Sequence, residues 1–225
     1  MKSRIDNNIR NLASYIIVFF ITWSIYEIGV ATYIQANYPE YVHTLSKAII
    51  KVLVWILPVF LYLKLYDKVR PLSYLRLKEN VKEGLMGAIS LSLFFLFYTL
   101  LRINILGTLM VDFNLGIHGW LNVVLLAGFT EEIVFRGFLL RKLWEMISFK
   151  RAMIISSFLF LVIHFPIWYV RGMGGIADFL FASLYLFVIG LLQAYVYKKT
   201  DSLWACIISH SLHNFIVSIL VLVQM

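Results

Sequence analysis

Seven apolar runs, each close to the ~20 residues an α-helix needs to cross a ~30 Å hydrocarbon core, constrain this chain more than any other feature. They fall at residues 11–34, 47–65, 84–103, 119–141, 152–170, 175–197 and 203–224. In lipid every backbone N–H and C=O must be satisfied internally, which a helix does within one segment. The expected fold is therefore all-α, a polytopic transmembrane bundle of about seven spans, with residues 104–118 a candidate eighth element, short or re-entrant. Composition agrees: 61% hydrophobic and 14% charged residues lie outside the range of a soluble globular domain. The first run is too long for the apolar part of a signal peptide and lacks a small-residue cleavage site, so it reads as a retained span.

Lys and Arg divide the loops. Lys2, Arg4 and Arg10, then Lys64 to Lys82, then Arg141, Lys142, Lys150 and Arg151, and finally Lys198 and Lys199 collect at one end, against Lys47, Lys51, Arg102 and Arg171 at the other. Positively charged loops stay cytoplasmic, which places the N-terminus inside and makes Lys47 and Lys51 local exceptions. The net charge of +8 sits beside apolar spans, where it meets anionic headgroups; no nucleic-acid partner is expected. Two regions are drawn: an N-terminal transmembrane region, 1–118, with a basic cytoplasmic loop at 64–83, and a C-terminal region, 119–225. The lone Cys206 excludes a disulfide framework and a cysteine-rich metal site.

A charge at the centre of a membrane helix costs about 2.5–3.5 kcal/mol on insertion scales and normally faces a protein interior, where it serves a purpose. The deep ionisable or polar residues are Glu131, Glu132 and Arg136 in the fourth run, His164 in the fifth, Asp178 at the start of the sixth, and His210, His213 and Asn214 in the seventh. At ~1.5 Å per residue, Glu131, His164 and His210 lie ~15, ~20 and ~14 Å from the basic ends of their spans, a common level at which three helices could share a polar chamber reached from the cytoplasmic side. Glu132 and Arg136 stand at i,i+4 in the favourable order for an ion pair. Glu131, rotated by about 100°, is then the free carboxylate. His210 and Asn214, also at i,i+4, share a face.

On these residues the sequence resembles the CPBP family, the CAAX-processing and bacteriocin-processing (Abi) intramembrane proteases. Three motifs carry the resemblance over residues 119–217: Glu131-Glu132 with Arg136, Phe160 with His164, and His210 with Asn214. The resemblance implies an intramembrane endopeptidase acting on a membrane-associated or lipidated protein or peptide. It makes Glu131, His164, His210 and Asn214 catalytic, with Glu132, Arg136 and Phe160 as support; His213, on the same span, is an additional candidate from its position alone, split between packing and the site. A carboxylate could act as general base toward water, a histidine could orient that water, and donors could meet the developing oxyanion. Glu131, His164 and His210 are equally the ligand count of a catalytic zinc. The preferred reading requires no cofactor, and zinc stays open.

Each element also has a plainer reading, because polar side chains join membrane helices and an i,i+4 Glu–Arg pair is ordinarily structural. Two other functions stay open: a proton-coupled transporter using the same Glu/His cluster, and a non-catalytic bacteriocin-immunity or sensor partner. The short chain is more similar to bacterial members of the family, which points to a bacterial plasma membrane. The lipid bilayer and a protein or peptide substrate are the expected partners.

Overall fold

The computed structural model describes residues 2–223, and these are overwhelmingly helical. Seven rods run up and down: α1 (residues 2–37), α2 (40–66), α4 (Val81–Leu106), α5 (116–146), α6 (149–171), α7 (Ile176–Thr200) and α8 (Leu203–Ile219). A single turn, α3 (Pro71–Tyr74), lies in the basic loop, opened by Pro71, a residue whose missing N–H costs nothing at a helix start. Five rods are long and apolar enough to cross a membrane. α5 has the length but carries Glu131, Glu132 and Arg136, and α8 is shorter. The rods coincide with the seven apolar runs, and the chain is a multi-pass membrane protein.

Two expectations change. Residues 104–118 form no eighth helical span: α4 runs on to Leu106, strand β1 (Thr108–Val111) follows, and α5 begins at Gly116. The final rod stops at Ile219, and Leu220–Val223 forms β2, antiparallel to β1 with Val111 opposite Leu220 and Thr108 opposite Val223. Gly107, extended at the end of α4, releases the chain into β1, and the two-stranded ribbon ties the ends of the neighbouring rods α4 and α8 together.

Polarity is inverted relative to a water-soluble fold. Ile17, Val18, Leu93, Phe97, Phe158 and Leu184 are exposed, whereas Glu132 and Arg136 are fully buried. That arrangement suits a solvent of lipid, in which apolar side chains lose nothing by facing outward. An aromatic cluster binds α1 and α2 to α5: Trp55 packs edge-on against Phe19 at 5.0 Å and Trp23 at 4.9 Å, and Tyr15 meets Phe138 at 5.0 Å. Small residues bring the other rods close. A Cβ on Gly128 would stand 2.9 Å from the backbone N of Ser211 and 3.0 Å from the carbonyl of Ile207, so only glycine allows α5 to approach α8 this closely.

The two ends of the bundle differ. At the basic end, side chains link the loops: Lys142 to Asp67 at 2.8 Å, Arg76 to Asp201 at 3.1 Å and Tyr74 to Glu145 at 2.7 Å. Trp204 Nε1 donates to the Leu77 carbonyl at 2.9 Å. At the opposite end His43 of α2 stacks on His118 of α5, ring centres 5.0 Å apart, and the space between α1, α2, α5 and α6 is open.

Candidate active site

Glu131 and Glu132 sit on the α-helical stretch Leu126–Glu132 of α5, between π-helical stretches Gly119–Leu125 and Ile133–Leu140. Such wide turns inside α-helices are often found at functional sites. The two glutamates diverge as their spacing predicts. Glu132 turns into protein, where its Oε1 accepts from Arg136 Nη1 at 2.9 Å. The Arg136 guanidinium lies over the Phe160 ring, 4.2 Å from its centre, and reaches the Gly190 carbonyl at 3.4 Å.

Glu132 does more than hold its own helix. The same Oε1 lies 2.6 Å from His210 Nδ1. Because a carboxylate only accepts, the proton of that bond belongs to Nδ1, and the ring is fixed with Nε2 turned toward Glu131. Glu132 is thus a positioning residue for His210, in the way an outer carboxylate orients an imidazole in many catalytic sites. The doubled glutamate was the available sequence signal, but only the fold pairs it with His210.

His164 is oriented by a break in its helix. Pro166 has no N–H, and α6 interrupts at Ile163 and His164 before resuming as Phe165–Arg171. The amide of His164 bonds back to Leu161 at 3.1 Å rather than to Phe160. The freed Phe160 carbonyl takes the ring instead, 2.8 Å from His164 Nδ1. The carbonyl only accepts, so Nδ1 again carries the proton and Nε2 faces inward. This gives the Phe160 and His164 spacing a backbone reason as well as a ring contact, edge to face at 5.0 Å.

The three groups converge. Glu131 Oε2 is 3.9 Å from His164 Nε2 and 4.0 Å from His210 Nε2. These separations are too long for direct hydrogen bonds and leave room for a small molecule between the groups. Asn214 lines the same cavity; its Nδ2 donates to the Val123 carbonyl at 2.9 Å, and its second N–H remains for a guest. His213 also borders the cavity but turns aside, with Nε2 3.1 Å from the Tyr185 hydroxyl and its ring 4.6 Å from that of Phe95. Asp178 is exposed at the start of α7 and does not line the cavity.

Two expectations are corrected. Glu131 is not a free carboxylate: Lys51 Nζ of α2 stands 3.6 Å from its Oε1, with both side chains almost wholly buried. Lys51 also reaches the Asn122 carbonyl at 3.4 Å. The chamber, moreover, is not reached from the basic end. Residues 133–140 are buried without interruption below Glu131. The cavity of about 250 Å³ above it runs past His118, Lys47 and Arg171 toward the opposite end.

A tetrahedral zinc with ligands at about 2.0–2.1 Å would hold its ligand atoms roughly 3.3 Å apart. The Nε2 atoms stand wider than this from Glu131 Oε2, and the Lys51 ammonium is held against the same carboxylate. Among the described residues no three His, Cys, Asp or Glu side chains are placed to hold a metal ion. As arranged, the set does not fit zinc.

No curated protein and no solved structure matches the chain. One family model, described as type II CAAX prenyl endopeptidase Rce1-like, matches residues 112–216. That segment opens just after β1 and covers α5, α6, α7 and nearly all of α8, the rods that carry all three motifs and every residue of the Glu131–His164–His210 cluster. Over these rods the chain is similar to the Rce1-like type II CAAX prenyl endopeptidase family, which agrees with the resemblance its three motifs carry.

Proposed function

We propose that the chain is an intramembrane endopeptidase in which Glu131 activates water against a peptide bond of a membrane-associated protein or peptide. The observation that carries this reading is the convergence of two imidazole Nε2 atoms on Glu131, each ring oriented by its own Nδ1 bond. A water between Glu131 and His164 would donate one hydrogen to the carboxylate and the other to the His164 Nε2 lone pair, which aims an oxygen lone pair at the scissile carbon. As that oxygen attacks, its proton passes to Glu131 and the carbonyl π electrons move onto oxygen. The spare N–H of Asn214 and the unused N–H groups of Lys51 are the donors available to that oxyanion. When the oxyanion collapses, the C–N bond breaks and Glu131 returns its proton to the leaving amine, so protons balance over the cycle.

No step requires a metal. The Lys51 ammonium supports this, since it supplies beside Glu131 the positive charge that a cation would otherwise bring. Members of the matched family are described as acting on CAAX prenyl proteins; for this chain the proposal extends to peptides and proteins at a membrane, in a multi-pass plasma-membrane protein of bacterial type.

The test is cleavage of a mixed peptide library by the purified, detergent-solubilised protein, comparing wild type with Glu131→Gln and Glu131→Ala, with and without chelator. Cleavage lost in both variants and retained under chelator is the expected result. Equal cleavage by wild type and variants removes the reading, and loss under chelator replaces glutamate-activated water with a metal.

A further inference from the structure

The open end of the bundle holds a second, larger cavity of about 680 Å³, walled by the end of α1, the start of α2, the start of α5 and the end of α6. It shares Glu27, Lys47, His118, Ile167 and Arg171 with the inner cavity. The two are therefore lobes of one funnel. Exposure falls along it: Gln35, Tyr38, Glu40 and Arg171 at the rim are exposed, Lys47 and Lys51 within are buried, and Glu131 lies at the bottom. Glu27 accepts from Lys47 at 2.8 Å in the wall, so the throat is polar and its largest charges are neutralised, which suits the amides of an extended peptide.

The funnel also removes the exception in the topology. Lys47 and Lys51 were the lysines that spoke against a translocated end, but both are cavity residues with buried ammonium groups, one paired with Glu27 and the other with Glu131. They are not loop charges and do not count in the bias that sets orientation. Fifteen of the chain's 20 Lys and Arg lie at the basic end. With the two cavity lysines and the buried Arg136 set aside, Arg102 and Arg171 alone remain at the other.

We propose that Glu131 is served from the non-cytoplasmic face, through this vestibule, and that its substrate is an extended peptide segment presented outside the cytoplasm. The substrate part rests on the peptidase reading above; the face on which the vestibule opens does not. The basic end offers no alternative route, because α5 is buried from Ile133 to Leu140 and the loops there are joined by ion pairs.

The experiment uses the full chain in membranes. Its own thiol, Cys206, is buried and gives little background. Gln35→Cys marks the rim and Lys150→Cys the basic end, neither in the catalytic machinery. In intact cells a membrane-impermeant maleimide should label Gln35→Cys and leave Lys150→Cys unlabelled until the membrane is permeabilised. In sealed vesicles of both orientations, a mixed peptide library should be cleaved only when added on the side where Gln35→Cys is labelled. That cleavage should be lost when a bulky maleimide occupies the rim cysteine, and unchanged when it occupies Lys150→Cys. Labelling of Lys150→Cys in intact cells, or Glu131-dependent cleavage from the basic side, overturns the proposal. Absence of cleavage from either side overturns the substrate assignment together with the peptidase reading, while the labelling still decides the face.

Discussion

The two halves of the bundle are unequal in a way that separates chemistry from setting. Rods α5 to α8 match a family and hold Glu131, His164, His210 and Asn214; rods α1, α2 and α4 lie outside the match. Yet α2 places Lys51 against Glu131, and α1 and α2 build half of the vestibule wall. On the proposed mechanism the reacting groups reside in one half, whereas the counter-charge and part of the access reside in the other. A variant series can break this division by finding the largest losses of turnover in the wrong half.

The largest effect is expected at Glu131. Glu131→Gln keeps size and most hydrogen bonding but removes the base, and should lower kcat by about 10³-fold, within the range general-base catalysis supplies, while the protein elutes and melts as wild type. Turnover that survives this change would move the chemistry away from α5.

Next comes Glu132→Gln. It leaves the fully buried Arg136 without its partner and weakens the hold on His210. Breaking a buried pair by removing one member costs about 3–5 kcal/mol, so thermal melting in detergent should fall sharply. Replacing Glu132 together with Arg136 by apolar residues should recover much of the stability but not the turnover, because His210 would still lack its Nδ1 acceptor. Recovery of turnover in the double variant would reduce Glu132 to a structural partner.

Lys51 sharpens the comparison most, since it is the contact by which the unmatched half touches the chemistry. Lys51→Met removes a charged donor worth about 1.5–3 kcal/mol, which should appear as roughly a ten- to hundredfold loss of kcat, with Lys51→Arg restoring part of it. A change confined to KM would make Lys51 a wall of the binding cavity rather than a partner of Glu131.

What the sequence made legible follows from what is periodic and local. Apolar runs announced the rods, and i,i+4 spacing foretold the Glu132–Arg136 pair and the divergence of Glu131. Contacts between rods were not legible. Lys51 lies 80 residues from Glu131, and in sequence it registers only as a misplaced topological charge. The open end was hidden for a related reason: depth measured along each rod locates a residue between two ends but cannot tell which end is plugged. The β1–β2 ribbon was concealed because Leu220 to Val223 is as apolar as the helix before it, and the change from helix to strand at Leu220 depends on β1, over 100 residues earlier, lying alongside.

The smallest effect is expected at the edge of the site. His213 shares a rod with His210 and borders the same cavity, but its Nε2 faces the Tyr185 hydroxyl and its ring lies against Phe95. That environment belongs to the packing of α8 on α4 and α7. Tyr185→Phe removes the hydroxyl and leaves the ring stack with Tyr98, so it should cost about 1 kcal/mol of stability, the net worth of one hydrogen bond, with kcat unchanged. Should Tyr185→Phe instead depress kcat without moving the melting temperature, His213 would join the reacting groups, and the boundary between chemistry and setting would have to be redrawn through α8 itself.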